Sequence, residues 1–306
     1  ARPGWGQGRN RTVLGLDPLD SASMDALIEA LVPGIPAAAV ATIAEQAQGI
    51  PLFAVETIRS LIDRDVVVPR EGVYRLAGDV GALTVPDSLH GLLAARLDVL
   101  DPVSRRLVAE ASVLGSSFPL EALVAVSGQP EADVRASVGD LVRREVLAIS
   151  ADPLSPQRGT YRFAHEMLRQ VAYDTLSRRD RKAGHMAVAA HLRSSFPGDG
   201  EEVVDVLARH YLDALHAVPT DPDADEVRDQ AVAALVRAGD RSNRTGSPRR
   251  AADSYVSAAE LLREGQREDA DVQAADLLER AAAAALDGML APRAVELADQ
   301  AATIYT

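Results

Sequence analysis

Residues 146–173, VLAISADPLSPQRGTYRFAHEMLRQVAY, decide how the rest of the chain is read. Val146–Ser150 and Thr160–Ala164 are short runs of branched and aromatic residues, separated by a stretch rich in Pro and Ser. They read as two strands joined by a loop. A helix follows over about 165–176. Upstream, apolar residues recur at helical spacing over about 102–114, 119–127 and 130–145. Three helices followed by a β-hairpin is the order of a winged-helix domain.

Towards the start of the chain, residues 86–100 read as a helix carrying Leu89, Leu92, Leu93 and Leu97. Before it, residues 66–69 and 73–76 flank Arg70-Glu71-Gly72 and read as a hairpin with Gly in its turn. Three helices precede the hairpin. The first covers 20–32, with Asp20 or Ser21 as its N-cap. The second covers 36–47. The third begins at Pro51, where a missing N–H costs nothing in the first turn, and runs to about Arg64. Residues 1–11, ARPGWGQGRNR, read as a loop, and Thr12–Leu16 as one buried strand. A lone strand cannot satisfy its own backbone. It is expected either to add to a sheet elsewhere or to belong to a sheet upstream of residue 1.

After residue 177 every segment reads as helix: 178–195, 201–216, 225–246, 248–264, 270–287 and 291–305. Arg250-Ala251 with Ala258 returns as Arg293-Ala294 with Ala301, and Gly239 is matched by Ala282. Small residues at fixed places in paired helices let neighbours approach closely, which is the logic of tetratricopeptide repeats. The spacing exceeds the roughly 34 residues of that repeat. The loop near 264–271 is expected to hold the excess.

Composition narrows the function classes. A length of 306 residues suggests two or three domains. No apolar run reaches the ~18 residues of a membrane span, and no secretory signal opens the chain; a cytoplasmic location is expected. Cysteine is absent, which excludes disulfides, thiolate catalysis and Cys-held metals. The net charge of -13 makes the chain a poor general binder of nucleic acid, whose phosphates supply most of such affinity. The second helix of a DNA-reading motif would fall at 130–145. There Arg135, Arg143 and Arg144 face Glu131, Asp133, Asp140 and Glu145, so that helix is not basic. Arg2, Arg9 and Arg11 beside Trp5 read as a solvated loop. The six histidines show no metal-ligand spacing, and no Ser lies in a GxSxG turn. No catalytic residue and no metal site are expected in this chain. Only one basic residue is a lysine, Lys182, which reads as codon bias.

Several stretches together resemble one family. They are Leu16-Asp17-Pro18-Leu19, Gly49-Ile50-Pro51-Leu52-Phe53, and Val85-Pro86-Asp87-Ser88-Leu89 followed by Leu92-Leu93-Ala94-Ala95-Arg96-Leu97-Asp98. Ala111-Ser112-Val113-Leu114-Gly115 with Phe118, and Tyr161 to Tyr173, complete the series. They resemble the signal-transducing AAA-type (STAND) ATPases, of the kind attached to bacterial class III adenylate/guanylate cyclases and large LuxR-type regulators. The resemblance covers about residues 1–215. It implies a mostly α chain in four parts. A remnant of the nucleotide-binding core covers 1–17, and a helical lid with a hairpin covers 18–100. A winged-helix domain covers 101–177, and a tetratricopeptide-like helical arm covers 178–306. It also implies that His165 reaches a phosphate of bound ADP, and that the turn at Gly49 and Pro51 sets a helix N-terminus against the nucleotide. Ile50 stands where the family has Asn, which removes one polar contact. No GxxxxGK[ST] loop and no acidic Mg²⁺-binding strand end occur in the chain. ATP or ADP with Mg²⁺ is therefore expected only with an upstream ATPase core.

The function so implied is regulatory: coupling nucleotide state in an upstream core to a cyclase or transcriptional output, with a protein or small-molecule ligand on the arm. The alternatives are a free-standing helical-repeat scaffold and a winged-helix DNA-binding regulator. The expected switch has two states, and a ligand shifts it only by its differential affinity for them.

Overall fold

The computed structural model describes residues 17–70, 72–77, 88–150, 159–196, 200–265 and 269–305. The expected strand at 12–16, the Arg-rich loop with Trp5, and the Val85–Asp87 start of the fourth helix lie outside the described residues. The chain is mostly α, with fourteen helices and five short strands among the described residues. It forms two compact units, residues 1–101 and 102–306.

The first unit holds α1 (Ser21–Leu31), α2 (Ala37–Ala47), α3 (Pro51–Asp63), β1 (Val67–Arg70), β2 (Val73–Leu76) and α4 (Leu89–Asp98). Asp20 caps α1, its carboxylate accepting from the Ser23 N–H at 2.7 Å. This satisfies a donor that the first helical turn leaves open. Met24, Ile28, Ile43, Phe53, Ile58 and Leu61 build the core on one face of each helix. The hairpin pairs Val67 with Leu76 and Arg70 with Val73. Tyr74 N–H donates to the Pro33 carbonyl at 2.7 Å, tying the hairpin to the α1–α2 turn.

One polar group lies deep in this unit. Glu56 on α3 is 0% exposed and Arg96 on α4 is 3% exposed. Their side chains form an ion pair, and Arg59 donates to the other Glu56 oxygen at 2.9 Å. Arg96 belongs to the ARLD segment on which the family resemblance rests. Its place here is architectural, since it neutralises a carboxylate that would otherwise be buried with its charge.

The second unit begins with α5 (Pro102–Leu114), β3 (Ser117–Phe118), α6 (Leu120–Ser127) and α7 (Glu131–Arg143). It continues with β4 (Leu147–Ile149), β5 (Tyr161–Phe163) and α8 (Glu166–Asp174). The strands form an antiparallel sheet in the order β3-β5-β4. Strand β3 was not expected: two residues are too few for an alternation to register. Its Phe118 ring stacks on Tyr161 and meets Phe163 edge-on, which fixes the short strand in place.

Six helices follow: α9 (Arg178–Ser195), α10 (Val204–Ala217), α11 (Ala224–Arg244), α12 (Pro248–Glu264), α13 (Ala270–Asp287) and α14 (Ala291–Tyr305). Each packs on the next, and α9 also packs on α5 and α6. A Cβ at Gly184 on α9 would sit 3.0 Å from a Val113 methyl on α5. The echoed positions Ala251, Ala258, Ala294 and Ala301 are all buried. The loop near 264–271, expected to hold the excess length, lies partly outside the described residues. Among the described residues, α11 runs 21 residues and α13 runs 18. Lys182 on α9 is buried and pairs with Asp221 and Asp223 in the turn before α11.

Candidate functional site

The turn at Gly49 and Pro51 is shaped by contact with the segment just before α1, Pro18 and Leu19. Gly49 has φ +78°, a left-handed conformation that costs a non-glycine residue strain. A Cβ there would lie 2.5 Å from the Pro18 Cβ and 2.7 Å from the Leu19 carbonyl oxygen. Leu19 N–H donates to the Gly49 carbonyl at 2.8 Å. Pro18-Leu19 and the GIPLF stretch therefore meet, and a side chain on Gly49 would separate them. Pro51 opens α3 after Ile50, whose side chain makes no cap.

His165 lies in the second unit. It is the N-cap residue of α8, directly after β5, in extended conformation and half-buried. Its side chain does not cap the helix. Arg169, one turn on, donates to the Ser112 carbonyl on α5 at 3.1 Å, so the α8 start is fixed against the three-helix layer.

A second polar cluster joins α8, α9 and α10. The Nδ1 atoms of His185 and His210 are 2.9 Å apart. His185 Nε2 lies 2.9 Å from the Tyr173 hydroxyl. Both imidazole pKa values are lowered to about 4, chiefly by burial and in smaller part by the nearby Arg209 cation. Both rings are neutral at pH 7. Arg181 covers the Tyr173 ring at 4.6 Å.

The helical arm carries a cleft of about 440 Å³, lined by Asp240, Asn243, Arg244, Tyr255, Arg280 and Ala283. Its floor is a connected group. Tyr255 on α12 donates its hydroxyl to Asp240 Oδ1 at 2.7 Å. Arg280 on α13 pairs with the same Oδ1 and lies over the Tyr255 ring at 4.4 Å. Burial and the Asp240 carboxylate raise the Tyr255 pKa, keeping its proton in place. The ring fits because position 239 is glycine: a Cβ there would meet Tyr255 Cε1 at 2.5 Å. The rim is looser. Arg244 pairs with Glu201, both half in solvent. The Asn243 amide has no hydrogen-bond partner among the described residues.

Sequence reasoning placed none of these cleft residues together. They come from three helices and are brought together by packing. The one signal available was the small residue at Gly239, matched by Ala282 in the echo, which marks a place where a neighbouring helix approaches closely. Among the described residues, no group of three or more His, Asp or Glu could hold a metal ion. No helix among them is long and apolar enough to cross a membrane.

No family model matches the chain, and no curated protein matches it. Among solved structures the chain is similar to a Signal Transduction ATPase with Numerous Domains (STAND) protein with a tetratricopeptide repeat sensor, from Pyrococcus horikoshii. The identity is 12% and the TM-score 0.44, over 99% of this chain and 44% of that one. The chain thus spans less than half the length of that protein.

Proposed function

We propose that this chain is the regulatory portion of a STAND-type ATPase. It couples the nucleotide state of an upstream core to a cyclase or transcriptional output, through a helical arm that takes a ligand or partner. The observation that carries the reading is the order of parts in the second unit. Three helices and a three-stranded antiparallel sheet lead into His165 at the head of α8, and stacked helix pairs follow. We read the first of these parts as a winged helix. In the closed state the His165 imidazole donates to a phosphate of ADP, and the α3 N-terminus beyond Gly49 supplies a favourable dipole. A ligand on the arm that prefers the open state shifts the balance away from that contact.

A DNA-reading role finds no support in α7. Arg135 pairs with Glu131, and Arg143 with Asp140, on the helix itself. Each of these cations stands beside a carboxylate on the same face, so α7 offers no net positive surface to phosphates.

The test is a His165→Ala variant of the full polypeptide that contains these residues and the nucleotide-binding core. It is expected to retain less ADP through purification and to show raised basal output. Unchanged ADP content together with unchanged output would remove the switch.

A further inference from the structure

The arm cleft has donors and acceptors left over in a particular pattern. Both hydrogen bonds that Asp240 accepts fall on Oδ1, from Tyr255 and Arg280. Oδ2 carries none among the described residues. One turn along the same face of α11 stand the unpartnered Asn243 amide and the Arg244 guanidinium. Among the described residues Arg244 is held only by Glu201, with 56% and 48% of the two side chains exposed, and an exposed pair of that kind is weak and easily exchanged. The cleft volume of about 440 Å³ is within the range that takes small organic ligands. Ala283 supplies an apolar wall.

These groups select among ligand classes. A guanidinium and a carboxamide side by side match a carboxylate, which Arg binds through a planar fork. The Asp240 oxygen beside them requires the ligand to present a donor close to that carboxylate. It would repel a phosphate, which brings only further negative charge. A sugar seeking an aromatic face finds none, because Tyr255 is 3% exposed, with Arg280 over its ring.

We propose that this cleft binds a small α-amino or α-hydroxy acid. Its carboxylate sits on Arg244 and Asn243, its α-ammonium or hydroxyl donates to Asp240 Oδ2, and its side chain lies along Ala283. Glu201 is the group that the ligand carboxylate replaces on Arg244. Because Asp240, Tyr255 and Arg280 come from three consecutive helices, occupancy ties α11, α12 and α13 together. The inference rests on reading the arm as the ligand-facing part of the chain.

The experiment is titration calorimetry on this chain without nucleotide, using the standard L-amino acids, L-lactate and L-malate at concentrations up to millimolar. At least one is expected to give saturable heat. The same molecule without its α-substituent (4-methylpentanoate for leucine, glutarate for glutamate) is expected to bind about tenfold more weakly or worse. Asn243→Ala and Arg244→Ala, both at exposed positions, are each expected to weaken binding by about tenfold while leaving the melting temperature unchanged. The proposal is overturned by an absence of saturable heat across the panel, by equal binding of the des-amino acid, by inorganic phosphate binding as tightly, or by variants that bind as the wild type does. Those outcomes leave the His165 switch standing, and failure of the His165 test leaves this binding result standing.

Discussion

Gly49 and Glu56 show two different ways in which one residue can be irreplaceable. At Gly49 the constraint is space and backbone conformation. Gly49→Ala is expected to lose about 1–3 kcal/mol, from overpacking against Pro18 and Leu19 and from the left-handed φ. A lowered urea midpoint with an unchanged slope would show it; an unchanged midpoint would mean that the turn relaxes freely. At Glu56 the constraint is charge. Glu56→Gln removes the buried carboxylate facing Arg96 and leaves it the longer pair with Asp63 at 3.7 Å, and is expected to cost about 3 kcal/mol. Replacing both, as Glu56→Met with Arg96→Met, is expected to recover most of that loss, because two apolar side chains leave no orphaned charge. Equal losses in the single and double variants would argue against the ion pair as the cause. Gly239→Ala is the third case. It pushes on the Tyr255 ring and should disturb the arm cleft as well as stability.

At the scale of helices, the His185–His210 contact couples α9 to α10 and responds to acid. If His185 carries its proton on Nδ1, it donates to His210 and accepts from the Tyr173 hydroxyl; adding a proton to each ring sets N–H against N–H. The unfolded rings take up protons near pH 6.5, the folded ones only near about 4. The unfolded chain therefore binds more protons between those values, and stability falls as pH drops through that window. Arg181 and Arg209 oppose protonation, while Asp213 favours it at His210. Urea midpoints between pH 7.5 and pH 4 should decline for the wild type. A His185→Gln/His210→Gln variant should show a flatter profile over the same range. Parallel profiles would place the acid sensitivity elsewhere. The same helices show what could be read in advance. Pro51, Pro102 and Pro248 are local signals, and α3, α5 and α12 begin at them. Strand β3 and the contact of Asp240, Tyr255 and Arg280 carry no local signal. The strand is a product of ring packing by Phe118, and the triad is assembled from turns that lie 15 and 40 residues apart. Gly49 was legible as a turn, but its reason, the approach of Pro18 and Leu19, required the fold.

For the molecule as a whole, two compact units imply two cooperative transitions, since each has its own buried core. In scanning calorimetry the Glu56→Gln substitution is expected to move one transition and leave the other in place. A single peak that shifts as one would show that the units unfold together. Lys182 extends this to chemistry. The chain has one ε-amine, and the fold keeps it beneath two carboxylates. An amine-directed acylating reagent therefore finds no exposed lysine on the native surface. Modification at residue 182 should wait for α9 to part from the turn at 221–223. The rate of that modification, read by mass spectrometry, then times the opening of the arm's first junction with no reporter residue introduced by mutation.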